Sequence, residues 1–139
     1  MTDYFDLQLN RDELLKISAL GFAHLGDAVY EVMVRAWVNL HGAARSKDLH
    51  KQTVQYVTAP AQAAMAQTIL PMLDEEEADV FRRGRNAAPH SIAKAATRSQ
   101  YQTATALESL FGWLWLQGRR DRLNQLFEAM MEGEGNHAP

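Results

Sequence analysis

LGFAHLGDAVYEVMVRAW, residues 20–37, decides the fold. Leu25, Ala28, Val29, Val32, Met33 and Ala36 recur at helical spacing, and apolar or neutral residues cover most of the remaining circumference. This pattern predicts a helix enclosed by other helices. Asp27 sits within that surface, directly after Gly26. An isolated ionised carboxylate is costly there unless a cation or a hydrogen-bond network compensates it. A bound metal is one reading, and an aspartate that is solvated or paired with arginine is the other.

Outward from this stretch the chain reads as all-α, with about seven helices and no convincing alternation of β-branched residues. The spacing predicts a short helix over residues 11–19, then the organising helix to about Leu40, ending near Gly42. Ser46 can cap a third helix carrying Asp48, and Thr58 with Pro60 gives the signal for a fourth. Asp74 can cap a fifth, with Glu75, Glu76 and Glu77 where the helix dipole favours acids. RGRNAAPHSIAKAATR, residues 83–98, is the least regular region. A long apolar helix over residues 99–117 and an amphipathic one over 119–131 close a single domain, 1–133, with residues 134–139 as a frayed tail. Arg119, Arg120 and Arg122 oppose the last helix's dipole and read as a solvated face or a secondary nucleic-acid patch.

The 139 residues suffice for one substantial core. With no cysteine, neither a disulfide framework nor a thiolate zinc site is available. No basic leader precedes an apolar run, and no uncharged apolar stretch is long enough to span a bilayer, so a cytoplasmic protein without membrane contact is expected. The 14 Lys and Arg against 17 Asp and Glu leave a net charge of −3, so any nucleic-acid partner requires local cations. The five histidines are dispersed and form no metal box, and no serine lies in a Gly-x-Ser-x-Gly frame.

The second acid of interest is Glu108, in TATALESLFGWLWLQG. It shares a helical face with Ala104, Phe111, Gly112 and Trp115. A salt bridge to Arg35 or Arg98 would satisfy it. Two inward acids on two core helices equally suggest a carboxylate site for a hard cation such as Mg²⁺, with Mn²⁺ as a substitute.

HLGDAVYE, at residues 24–31, resembles the signature of the ribonuclease III family, and ALESLFGWLWL resembles its second motif, in which a glutamate precedes a glycine by four. DLHK, RRGRNA and a chain ending directly after the nuclease domain resemble the family's short branch, Mini-ribonuclease III, which has no appended double-stranded-RNA-binding domain. The resemblance implies the family's helical endonuclease fold, a two-fold symmetric homodimer and cleavage of double-stranded RNA to 5′-phosphate and 3′-hydroxyl ends. The setting it implies is maturation of precursor 23S ribosomal RNA, with ribosomal proteins as further partners on the precursor. Asp27 and Glu108 match the family's metal-binding acids, and Asp48 falls where the larger enzymes usually carry another. Glu31 is assigned a structural or ligand-supporting role. Ala23 and Thr105 stand where the larger enzymes have two more acids, which leaves fewer charged ligands.

RNA contact is expected from Arg82, Arg83, Arg85, Asn86, Lys94 and Arg98, mainly by shape, because A-form RNA presents phosphates and 2′-hydroxyls. Without the matched RRGRNA string, Arg82 and Arg83 would read as a solvated helix end paired with Glu75 to Asp79. The rival readings of the chain are a catalytically silent, helical, dimeric RNA-binding or assembly module and a nucleotide pyrophosphohydrolase. The clustered ExxE-type acids of the latter are not evident.

Overall fold

Asn10, Ser18, Thr58, Asp74 and Thr97 each begin a helix in the same way, with a side-chain oxygen accepting the backbone N–H three residues on. The computed structural model describes residues 1–42, 45–89 and 96–137, with side chains to residue 133. Among them are α1 (Arg11–Leu14), α2 (Ala19–His41), α3 (Ser46–Val57), α4 (Ala59–Ile69), α5 (Glu75–Ala87), α6 (Arg98–Leu116) and α7 (Arg120–His137). A 3₁₀ turn, Leu70–Met72, follows α4, and no strand occurs among the described residues. The expected caps at Thr58 and Asp74 are present. At α3 the N-cap is Arg45, without a side-chain bond, and Ser46 is the first helical residue.

The enclosed helix is α6. From Thr103 to Leu116 nearly every side chain is buried, and α2, α4, α5 and α7 pack around it. α2 contributes Phe22, Val29, Tyr30, Val34 and Val38 to the core, and Tyr30 meets Phe111 edge to face at 5.7 Å. Each such side chain is worth about 1.5–3 kcal/mol when fully buried. α2 itself is covered on one side only, contrary to the expectation that other helices enclose it. Ala28, Val32, Ala36 and Leu40 are exposed, Val32 by 66% and Leu40 by 80%, because no element among the described residues covers that side. No helix among the described residues is long and apolar enough to cross a membrane.

Two further expectations are corrected. The RRGR stretch is helical and belongs to α5, because Gly84 permits close packing on α6. A Cβ at Gly84 would lie 2.4 Å from the Ser109 hydroxyl and 3.1 Å from Ala106 Cα. The last helix runs to His137, past the Met131 expected, into the stretch read as a frayed tail. Gly133 packs closely on α4, where a Cβ would meet the Thr68 hydroxyl at 2.8 Å.

Arg122 is not part of a solvated face. Its Nε and Nη2 donate to the two carboxylate oxygens of the fully buried Glu77, both at 2.7 Å, and Nη2 also reaches the Met72 carbonyl at 2.8 Å. Burial pushes the Glu77 carboxyl up, but the Arg122 hydrogen bond, a backbone N–H at Asp74 and the charges of Arg122 and Arg119 outweigh it and leave the pKa lowered. This ion pair ties α5 to α7.

Candidate active site

Two glycines bring α2 and α6 into backbone contact. A Cβ at Gly26 would fall 1.6 Å from the Glu108 carbonyl oxygen, and one at Gly112 would fall 2.0 Å from the Phe22 carbonyl oxygen. Side chains at either position would force the helices apart. Asp27 follows Gly26 and Glu108 lies one turn before Gly112, so this close crossing sets the two carboxyl groups side by side.

Asp27 is exposed in a depression lined also by His24, Leu25, Ala28 and Glu31, whereas Glu108 is half-buried. The Glu108 pKa is pushed up to about 8, first by burial, then by the negative charge of Asp27 and a hydrogen bond shared with it. The neighbouring Gln62 amide acts in the opposite direction. Neither Asp27 nor Glu108 forms an ion pair with lysine or arginine among the described residues. Arg35, one of the two partners considered for Glu108, instead meets Glu31 at 3.0 Å on its own helix. Two converging carboxyl groups with no cation beside them form an oxygen donor set suited to a hard divalent ion.

The other candidate residues fall elsewhere in the fold or are differently engaged. Glu31 lies on the rim of the same depression, held by Arg35. Asp48 is in the first turn of α3, where its charge complements the helix dipole. No group of three or more acidic or imidazole side chains able to hold a metal occurs among the described residues, so Asp48 is not gathered with Asp27 and Glu108. Arg82 and Arg83 both pair with Asp79 one turn back on α5. The exposed side chains of Arg85 and Asn86, on the last turn of α5, have no partner among the described residues. Arg98 opens α6, and Lys94 lies outside the described residues.

Gln62 is the participant that the sequence pattern did not single out. It is 2% exposed on α4, in a stripe with Met65, Ala66 and Ile69. A polar residue at i in an apolar i, i+3, i+4, i+7 pattern was the available signal.

Residues 20–119 match the Ribonuclease III domain family. A Mini-ribonuclease 3 from Symbiobacterium thermophilum is 43% identical over 115 residues, covering 83% of this chain and 88% of that protein. Another, from Brevibacillus brevis, is 42% identical over 130 residues, covering 91% and 96%. The crystal structure of protein FN1578 from Fusobacterium nucleatum shares the fold with a TM-score of 0.77 at 28% identity, over 86% of this chain and 92% of that one. The matched span contains the whole glycine crossing with Asp27 and Glu108 on it, and the chain belongs to the ribonuclease III family as an endoribonuclease of that type.

Proposed function

We propose that the chain is a Mg²⁺-dependent endoribonuclease that cuts double-stranded RNA as a homodimer, leaving 5′-phosphate and 3′-hydroxyl ends. The observation that carries this reading is the Asp27 and Glu108 pair, two adjacent carboxyl groups that no lysine or arginine among the described residues neutralises. Asp27 and Glu108 hold the cation, for which Mn²⁺ substitutes. Bound there, the ion supplies Lewis-acid chemistry, acidifying water and neutralising charge on phosphate oxygens. Two protein donors are few for such an ion, so its affinity for the RNA-free protein would be modest.

Arg85 and Asn86 on the last turn of α5, with Arg98 at the start of α6, and with Arg82, Arg83 and Lys94, steady the RNA backbone. Arg82 and Arg83 exchange Asp79 for phosphate when they do so. The open apolar stripe beside Asp27 seats a second copy, and the two-fold pairing gives one site to each strand of the duplex. By likeness to the Mini-ribonuclease 3 proteins, the substrate is precursor 23S ribosomal RNA in the cytoplasm, with ribosomal proteins present on it.

The test compares wild type with Asp27→Asn and Glu108→Gln on a paired RNA duplex and on its separated strands, with Mg²⁺ and with EDTA. Cleavage confined to the duplex, and abolished by EDTA or by either substitution, is the expected result. Binding without cleavage across metals and salts would instead make the protein a silent RNA-binding module.

A further inference from the structure

We propose that the outward face of α3, with Arg45, Lys47 and Lys51, is a second phosphate-binding surface that grips duplex RNA to one side of the cleavage site. This inference rests on the duplex-RNA reading above and adds a surface to it. Lys47, His50, Lys51 and Val54 occupy i, i+3, i+4 and i+7 on α3 and are all exposed, whereas Leu49, Gln52, Thr53 and Tyr56 turn inward. Arg45 is exposed at the N-cap. Arg45, Lys47 and Lys51 form no ion pair among the described residues. Asp48 is the one acid of α3, and it stands beside this face, part-buried. Arg82 and Arg83, by contrast, are both engaged with Asp79. A chain of net charge −3 therefore presents its unpaired cations together here, as a nucleic-acid partner requires.

These cations do nothing for the helix that carries them. An N-cap favours Ser, Thr, Asp or Asn, and the first turn favours acids. Arg45 makes no side-chain capping bond, and Lys47 opposes the helix dipole. A phosphate brought to them reverses that conflict, because it is attracted by both side chains and by the positive end of the helix. The face lacks the aromatic or long aliphatic anchor on which a protein interface is built, since Val54, 39% exposed, is its one apolar side chain. Its placement suits an extended polyanion. α3 lies along the second half of α2 in the opposite direction, with Gln52 abutting Gly42, and Tyr56 meeting Trp37 at 5.6 Å and accepting the Tyr30 hydroxyl at 2.7 Å. Tyr30 is three residues from Asp27. From Tyr56 back to Lys51 and Lys47 the helix rises about 8 and 14 Å. The cations thus stand away from the reacting phosphate, where they hold the flank of a duplex without touching the chemistry.

The competing account is a solvated face that merely adds charge. The two are separated by duplex-RNA binding in EDTA across a salt series, measured by fluorescence anisotropy. The proteins compared are wild type, the triple variant Arg45→Gln, Lys47→Gln, Lys51→Gln, and Lys16→Gln, which removes an exposed cation without an ion pair elsewhere on the surface. The triple variant is expected to bind at least about 10-fold more weakly, with a salt slope flatter by about 2–3, since each phosphate contact contributes about 0.9 on duplex DNA. Lys16→Gln should leave affinity and slope unchanged. With Mg²⁺ the triple variant should show a raised KM but an unchanged kcat, and its denaturation midpoint should hold or rise. Wild-type affinity and slope in the triple variant, or an equal loss per charge in Lys16→Gln, would overturn the proposal and leave the duplex-RNA reading standing. Lys51→Glu, in the exposed middle of α3, serves if the triple variant does not fold, with the same two outcomes. Wild type that binds no duplex at any salt would overturn the duplex-RNA reading and this inference together.

Discussion

The Glu108 carboxyl, with its pKa pushed up to about 8, makes the stability of the metal-free protein depend on pH in an unusual direction for an acid. Its folded pKa lies above the unfolded value, so its contribution is fully present below about pH 4.5 and is lost as pH rises through about 8. Wild type in EDTA should therefore lose stability relative to Glu108→Gln between those values, by up to about 1.4 kcal/mol per pH unit. Denaturation midpoints of the two proteins across that range check this, and parallel curves would mean that neither burial nor Asp27 raises the Glu108 pKa. Saturating Mg²⁺ should flatten the difference, because a bound cation takes over from the proton. At this scale the sequence was half legible. Asp27 and Glu108 stand out as acids among apolar neighbours, and the motifs carry them. Gln62 was hidden because an uncharged amide among alanines is a weak signal, and α6, against which α4 packs, is distant in the chain. Asp48, an acid in a matched segment, stands in the first turn of α3, where its charge complements the helix dipole.

The helix boundaries were the most legible feature, because caps are local chemistry. Asp74 and Thr58 were readable as caps, and both start helices, while Gly42 ends α2 as expected. Contacts between helices were not readable. Gly84 looked like a point of irregularity in RRGRNA, and nothing local says that Ser109 and Ala106 press against it from α6. Gly26 and Gly112 present the same case, with function attached. Gly26→Ala places a methyl group against the Glu108 backbone, where helices rather than a flexible side chain must give way. Overpacking of this kind costs about 1–3 kcal/mol and should lower the thermal midpoint accordingly. It should also weaken Mn²⁺ binding, because the crossing that aligns Asp27 with Glu108 opens. A Gly26→Ala protein as stable as wild type, with unchanged Mn²⁺ affinity, would show that the close crossing does not set the site.

For the molecule as a whole, the sequence marked residues 20–37 as apolar nearly all round, and the described residues of one chain leave one side of that surface open. Ala28, Val32, Ala36 and Leu40 recur at four-residue intervals on α2, forming a slowly winding stripe that continues from Asp27. The discrepancy between an enclosed helix and a half-covered one disappears if a second copy supplies the missing cover. Symmetry makes the requirement strict, since each residue of a two-fold interface near the axis meets its own counterpart. Val32, 66% exposed, is the most direct probe. In Val32→Asp, two carboxylates would face each other in an apolar contact, whereas on a lone chain the same aspartate would simply be solvated. The expected result is a folded monomer by sedimentation, with helix content and RNA-free Mn²⁺ affinity retained. Because one chain carries one Asp27 and Glu108 pair, the monomer should nick one strand of a duplex slowly instead of cutting both, which a denaturing gel with each strand labelled in turn would reveal. A Val32→Asp protein that remains dimeric and cuts both strands at the wild-type rate would place the interface on another face.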